Sequence, residues 1–471
     1  MKLPEAFVRE ITPLIGMEEY AHFVAALEEE PRVAFRANAA KGACASSELK
    51  RVAWSSVGRY LEERPTFTFD PLFHGGAYYV QEPSSMFVEQ ALKTCGRVER
   101  MLDLCASPGG KSTLFRSLLP PDSVLVCNEP QKLRAQVLLE NLLKWGHPEV
   151  MVTNNYPRDF AVLRNLFDVI AVDAPCSGEG MFRKDNPALN EWSEQNVNNC
   201  AARQREIVSE VWPSLREGGY LIYSTCTYNL EEDEKNVAFF CQSLGAEVVE
   251  IPIPAAWQVT GNLLKGSDFP VYRFLPHRTE GEGFFLALLR KKCQDDVESN
   301  GSRRERTKKG GIKFFPLSQS KLKNWLQCPE RFVTIADGET TYALSPSLAE
   351  IVNRMGGRFH LLSAGIPLAV SKGNKTQPHE ALALTTALQR GSFAELDVDR
   401  DVALQYLRRL SLTLPEGSPR GYVLLTYRNL PLGFVNNLGA HANNLYPQNW
   451  KIRSGYTPDD VFKFIEFKKP R

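Results

Sequence analysis

Cys176 and Cys226 are the residues best placed to do chemistry. Cys176 lies in Asp173-Ala174-Pro175-Cys176-Ser177-Gly178, directly after the apolar run Asp168–Val172. Cys226 lies in Ser224-Thr225-Cys226-Thr227-Tyr228, after Gly219–Tyr223. A thiolate is strongly nucleophilic near neutral pH. Carbon 5 of cytosine is too weak a nucleophile to take a methyl group unaided. Thiolate addition at carbon 6 turns the ring into an enamine that can accept a methyl from a sulfonium. The carbon-5 proton must then leave and the thiolate must be expelled. Asp173 suits the acidic role, bonding the ring edge and favouring its protonation. Cys176 and Cys226 compete for attack and release. Lone cysteines at strand ends are usually inert core, and Cys44, Cys95, Cys105, Cys127, Cys200, Cys241, Cys293 and Cys328 read that way.

A cofactor site lies upstream. Met101–Lys111 reads as strand, turn, helix, with Cys105-Ala106-Ser107-Pro108-Gly109-Gly110-Lys111 at the turn. Gly109 and Gly110 permit close backbone approach, and the following helix presents unpaired N–H groups. The spacing is neither G-x-G-x-x-G nor G-x-x-x-x-G-K-[ST], so a nicotinamide or triphosphate reading is disfavoured. Glu129 ends the next strand, where an acid binds ribose hydroxyls in nucleotide-binding α/β folds. Asn154 and Asn155, at the end of the third strand, could meet an adenine edge; they also have ordinary turn chemistry.

These residues need a parallel sheet to hold them. Arg100–Leu104, Ser123–Cys127, Val150–Thr153, Asp168–Val172, Gly219–Tyr223 and Phe284–Leu289 read as strands. Helices are expected over Lys111–Leu119, Gln131–Trp145, Asn198–Leu215 and Glu231–Leu244. The alternation specifies a doubly wound α/β sheet, and the unbroken apolar strands imply cover on both faces. Residues 1–77 form a small α/β module: helical stripes over 4–30, a strand at Val33–Asn38 and a helix at Leu49–Leu61. The catalytic domain is expected at 78–292 and a basic linker at 293–312. A C-terminal α/β domain at 313–395 and a final α+β domain at 396–471 follow. In these, Arg331–Ile335 and Phe359–Leu362 read as strands, Asp399–Leu410 as a helix, and Gly421–Tyr427 with Leu432–Val435 as a hairpin.

The chain has 471 residues, 24% charged and 43% hydrophobic, with a net charge of +1. Nucleic-acid binding must therefore come from local basic surface. Candidates are the linker, with Arg303, Arg304, Arg306, Lys308 and Lys309, and Phe182-Arg183-Lys184 beyond the Cys176 loop. None of the ten cysteines forms a C-x-x-C or Cys/His zinc pattern, so reduced thiols and no metal are expected. No apolar run reaches the ~18 residues of a membrane span, and the N-terminus lacks a signal-peptide core. A cytoplasmic location follows.

The chain resembles the Sun-type family of RNA 5-methylcytosine methyltransferases, and within it the bacterial RsmF-type enzymes. The resemblance is carried by Gln81–Met86, Cys105–Thr113, Asn128-Glu129, Asp173–Lys184, Ser224–Asn229 with Glu231-Glu232, and Gly281–Phe285. It implies a Rossmann-like methyltransferase core. Cys105–Lys111 and Glu129 would hold S-adenosylmethionine, and Asp173 would sit between cofactor and base. Cys226 would be the nucleophile and Cys176 would assist product release. Family members often carry an acid near the third strand end, where this chain has Asn154-Asn155-Tyr156. Gly433-Phe434-Val435 and Asn443–Pro447 resemble a PUA-like RNA-binding region, and residues 1–77 match the family's N-terminal RNA-binding extension in position. The implied partner of this monomer is RNA, small-subunit ribosomal RNA first. The rival readings are a transfer RNA cytosine methyltransferase, a non-catalytic ribosome-assembly factor and an amino-group methyltransferase. The last prefers an aromatic residue where Cys176 stands.

Overall fold

The computed structural model describes residues 2–184, 186–293, 312–373, 375–458 and 463–467. Its central sheet has the strand order Ala246–Val248, Phe284–Lys291, Leu215–Thr225, Phe167–Asp173, Arg100–Asp103, Val124–Asn128, Val150–Thr153, Leu361–Ala364. The five strands from Leu215–Thr225 to Val150–Thr153 are parallel. Side chains alternate between two cores. Leu102, Val126, Ile170 and Val172 face one layer; Met101, Leu125, Val169 and Ala171 face the other. Burial on both faces is why these strands carry no polar alternation.

The edges correct the expectation of a wholly parallel sheet. Phe284–Lys291 runs antiparallel to Leu215–Thr225 and also pairs with Ala246–Val248 and Tyr272–Phe274. At the far edge Leu361–Ala364, expected in a separate C-terminal half, lies antiparallel to Val150–Thr153. Helix Pro346–Met355 packs Leu348, Ile351, Val352 and Met355 into the same core. Covering the exposed edge removes a row of unpaired backbone groups.

The N-terminal helices Glu5–Ile15 and Met17–Glu28 break at Gly16, whose φ is 92°. They bury Phe7, Ile11, Phe23 and Leu27 against Phe182, Trp192 and Tyr228. Strand Val33–Ala37 lies between Gly58–Leu61 and Tyr78–Val80. The helix expected at Leu49–Leu61 is instead a loop ending in the Gly58–Leu61 strand. Glu89 fixes that loop by accepting from Ser55 Oγ (2.8 Å) and Ser56 N (2.9 Å). Gly58 meets Met86 so closely that a Cβ would lie 2.5 Å from its sulfur.

Beyond the core, an antiparallel sheet runs in the order Phe315–Pro316, Val333–Asp337, Thr340–Leu344, Ile366–Lys372, Lys375–Pro378. A second sheet joins Ala394–Asp397, Gly421–Tyr427, Leu430–Asn437 and Ala442–Asn444, with helix Arg400–Leu407 beside it. Its hairpin turns at Arg428 and Asn429, both with positive φ, the geometry of a tight two-residue turn. Strand Ile465–Phe467 returns to pair with Ala43–Ala45. Residues 294–311 of the expected basic linker lie outside the described residues.

Candidate active site

Chain order reverses at Arg100–Asp103: the next strand lies on one side and Phe167–Asp173 on the other. Ligands of open α/β sheets bind outside the strand ends at this switch. A cavity of about 620 Å³ opens there, lined by Cys105, Glu129, Pro130, Asp173, Pro175, Cys176 and Cys226 among others. The size suits a small-molecule cofactor. Helix Gly110–Leu118 starts at Gly109, whose φ of 113° favours glycine. Arg134 and Asn141 hold the turn by donating to the carbonyls of Ser107 (3.1 Å) and Pro108 (2.8 Å). Ala106 and Ser107 are buried. Glu129 is also buried; its Oε1 accepts from Gln131 N at 2.9 Å and its Oε2 lies 3.6 Å from Arg134.

The two thiols meet. Cys176 Sγ and Cys226 Sγ are 2.9 Å apart, and Cys226 N donates to Cys176 Sγ at 3.4 Å. The hydrogen bond to Cys226, followed by burial, holds the Cys176 thiol well above its ordinary value. That shift favours the protonated form of Cys176. Beside them Lys111 Nζ pairs with Asp173 Oδ2 at 2.8 Å, and Ser224 Oγ donates to Asp173 Oδ1 at 2.9 Å. Burial opposes the Lys111 charge, but Asp173 and Cys226 together hold its ammonium above the ordinary value. Lys111 also sits 5.3 Å from the centre of the Phe284 ring.

Buried carboxylates fix both thiol loops. Glu179 accepts from the backbone N–H groups of Tyr228 (2.7 Å) and Asn229 (3.1 Å), from Trp192 Nε1 (2.9 Å) and from Asn229 Nδ2 (3.0 Å). Glu232 accepts from Ser177 N (3.0 Å) and Gln204 Nε2 (2.7 Å), and burial pushes its carboxyl up to about 6. Gly180 N donates to Cys226 O at 2.8 Å. A Cβ on Gly180 would come within 2.9 Å of that carbonyl, so the approach requires glycine.

Several expected residues stand elsewhere. Asn154 Nδ2 donates to the carbonyls of Glu129 (2.7 Å) and Pro130 (2.9 Å), and Asn155 exchanges hydrogen bonds with the His360 backbone. Both amides are engaged by the scaffold, while Tyr156, Pro157 and Arg158 of the following turn line the cavity. Phe182 and Arg183, expected to meet RNA, face inward. Phe182 is fully buried with its ring 5.2 Å from that of Phe7, and Arg183 pairs with buried Glu282 at 3.3 Å. Only Lys184 of the three keeps substantial side-chain exposure, at 31%. Asp103, within the expected strand Arg100–Leu104, carried no sequence signal as a site residue. It is fully buried: Oδ2 accepts from Ser112 Oγ at 2.6 Å, while Oδ1 has no partner. Burial pushes its carboxyl up to about 7. Arg203, Glu206 and Glu210, also lining the cavity, carried no sequence signal beyond a helix face.

Comparison with known proteins gives this geometry a family. Residues 92–290 match the model for 16S rRNA methyltransferase RsmB/F. Residues 3–83 match the N-terminal domain of 16S rRNA methyltransferase RsmF, and residues 393–452 the methyltransferase RsmF PUA domain. Ribosomal RNA small subunit methyltransferase F of Klebsiella pneumoniae is 29% identical, over 96% of this chain and 97% of that protein. The Citrobacter koseri protein of the same name is 30% identical, over 81% of this chain and 79% of its own length. The chain belongs to the RsmF family of methyltransferases. Among solved structures, a methyltransferase homolog protein from Pyrococcus horikoshii shares the fold, with a TM-score of 0.51 and 24% identity over 61% of this chain and 95% of that one. The RsmF-family chain is thus an enzyme with a Rossmann-like methyltransferase core, an N-terminal domain and a C-terminal PUA domain. Among the described residues, no helix is long and apolar enough to cross a membrane, and no group of three or more His, Cys, Asp or Glu is placed to hold a metal.

Proposed function

We propose that this chain methylates carbon 5 of a cytosine in 16S ribosomal RNA through a covalent bond between Cys226 and carbon 6. It acts as a cytoplasmic monomer without a metal, built from the modules 1–77, 78–292, 313–395 and 396–471. The observation that carries the reading is the thiol pair at 2.9 Å beside the Lys111–Asp173 ion pair, at the mouth of a cofactor-sized cavity.

The residues present fit S-adenosylmethionine. Glu129 would take the ribose hydroxyls, the Cys105–Lys111 turn the methionine end, and the unpartnered Oδ1 of Asp103 the ammonium. Asn154 supports this pocket by shaping the Glu129 turn, while Asn155 ties the neighbouring strand end to the His360 backbone. The bound cofactor supplies a methyl group made electrophilic by its sulfonium.

The chain's own residues do the rest. Cys226 sulfur bonds to carbon 6, and the displaced ring electrons reach N3, where the Lys111–Asp173 pair lends a proton. Carbon 5 is now an enamine carbon and can accept the methyl. Loss of the carbon-5 proton to water lets the Cys226–carbon bond break, its electrons returning to sulfur. The N3 proton goes back to the Lys111–Asp173 pair. Cys176, still protonated, meets the departing thiolate with its S–H and assists expulsion. The base must leave its stack to reach the thiols. The PUA and N-terminal domains supply phosphate and shape contacts.

Two measurements test this. Cys176→Ala is expected to accumulate a denaturation-resistant protein–RNA adduct, seen as a gel shift, and Cys226→Ala to give neither adduct nor product. An adduct with Cys226→Ala in its place would exchange the two roles. Bisulfite sequencing of cellular RNA with and without the gene is expected to reveal one protected 16S cytosine. Protection in a transfer RNA would reassign the substrate.

A further inference from the structure

We infer that Cys176 and Cys226 are also a modification site, joined as a reversible disulfide when a peroxide enters the cavity. The inference rests on the same thiol pair as the proposed function but needs no cytosine chemistry. Both sulfurs line the open cavity and lie 2.9 Å apart as free thiols. A disulfide requires about 2.05 Å, so closure needs a relative movement of under about 1 Å. The hydrogen bond from Gly180 N to Cys226 O already ties the two loops together.

The atoms balance. The sulfur of Cys226, near the Lys111 ammonium, attacks one oxygen of hydrogen peroxide; the O–O bond breaks and hydroxide leaves as water after protonation. Cys226 is then a sulfenic acid. Cys176 attacks that sulfur, the S–O bond breaks, and a second water leaves. The two thiols have lost two electrons and the peroxide has gained them. A sulfenic acid with a thiol already in contact is captured intramolecularly before a second oxidant arrives. The bond removes nucleophile and release thiol together, so methyl transfer stops until a dithiol restores it. A single catalytic cysteine would instead be driven to an irreversible sulfinic acid. On this reading the second thiol protects the first.

The test uses the full chain. After hydrogen peroxide treatment and alkylation of remaining thiols, peptide mass mapping is expected to find the Cys176 and Cys226 peptides linked. Methyl transfer is expected to fall by about tenfold or more and to return with dithiothreitol. Cys176→Ser is expected to show no link and to carry irreversible oxidation at Cys226. Sulfinic acid at Cys226 in the unmutated chain, or a link from Cys226 to Cys105, would overturn the inference. The two claims fail separately. A 176–226 link in a protein whose methylation survives Cys226→Ala sinks the proposed mechanism and leaves the disulfide standing. A Cys226-dependent enzyme that forms no link does the reverse.

Discussion

The loops carrying Cys176 and Cys226 are tied together by buried carboxylates, whereas the Cys105–Lys111 turn is held both by Arg134 and Asn141 of the core and by a residue of the N-terminal domain. Glu179 and Glu232 take donors from both thiol loops. Below them Asp233 and Glu234 pair with fully buried Arg273 at 2.8 Å and 2.6 Å, while Thr225 and Thr227 donate to Asp233. At the turn, Arg36 of the N-terminal domain donates to Gly110 O (2.8 Å), Thr113 Oγ1 (2.7 Å) and Gln81 Oε1 (2.6 Å). Asn38 and Lys41 accompany it, donating to carbonyls at the C-terminal end of helix Lys132–Trp145. On the proposed mechanism the two sulfurs need a framework that does not yield. The glycine turn instead shares its support between the core and a second domain. The N-terminal module therefore braces the cofactor helices, whatever RNA contact it also makes.

The largest expected effect comes from the carboxylate framework. Glu179→Ala would leave the Tyr228, Asn229 and Trp192 donors buried and unpaired. The expected loss is roughly 3–5 kcal/mol, since each orphaned group costs its desolvation. Urea denaturation measures it, and methyl transfer should collapse in the same variant. If stability falls but activity in the folded fraction is unchanged, the thiol loops do not depend on this acid.

How much of this was legible in the sequence varied with the range of the cause. The strands ending at Asp173 and Thr225 were readable because burial on both faces leaves an unbroken apolar run. The place of Glu129 on the cavity wall was readable from its distance to the glycine turn. Phe359–Leu362 reads as a strand of a separate C-terminal half, yet the strand Leu361–Ala364 joins the central sheet, because antiparallel pairing with Val150–Thr153 leaves no local trace. Leu49–Leu61 carries apolar residues at helix-like spacing, yet Glu89 holds its backbone in a loop. Arg183 read as surface because its partner, Glu282, lies far along the chain. Asp103 gave no sign of its strained protonation, which comes from complete burial rather than from its neighbours in sequence.

Asp103 sharpens the contrast through pH. Its carboxyl sits at about 7 in the folded chain against 3.8 ordinarily. The folded state thus binds more proton than the unfolded one between these values, and stability falls as pH rises through that window. Asp103→Asn removes this penalty. At pH 8 the variant is expected to gain roughly 1–3 kcal/mol relative to the parent, and at pH 4 the gain should vanish. Thermal unfolding at the two pH values measures it. An equal difference at both would mean that Asp103 ionises freely in the folded chain.

Arg36→Lys tests the brace from the other domain. The lysine keeps the charge but loses the fork that reaches Gly110 O, Thr113 and Gln81 together. The cofactor KM is expected to rise about tenfold, equivalent to ~1.4 kcal/mol, with the RNA KM unchanged. A merely structural role would lower the amount of active enzyme and leave both constants alone. A rise in the RNA KM alone would move Arg36 from the cofactor side to the RNA side.

The smallest effect is expected at Asn154, and it decides what the third strand end does. Its amide donates to the carbonyls of Glu129 and Pro130, so Asn154→Ala removes two hydrogen bonds from the turn that aims Glu129. About 1 kcal/mol of stability should be lost. The cofactor KM should move by no more than about threefold, because Glu129 keeps its bond from Gln131. Tyr156 and Arg158, not Asn154, line the cavity, and Tyr156→Ala should change the cofactor KM more than Asn154→Ala does. The reverse order, with unfolding unchanged in Asn154→Ala, would put the asparagine against the adenine. The outer end of the cofactor site would then be read by side chains, as the thiol end is, rather than shaped by the backbone turn.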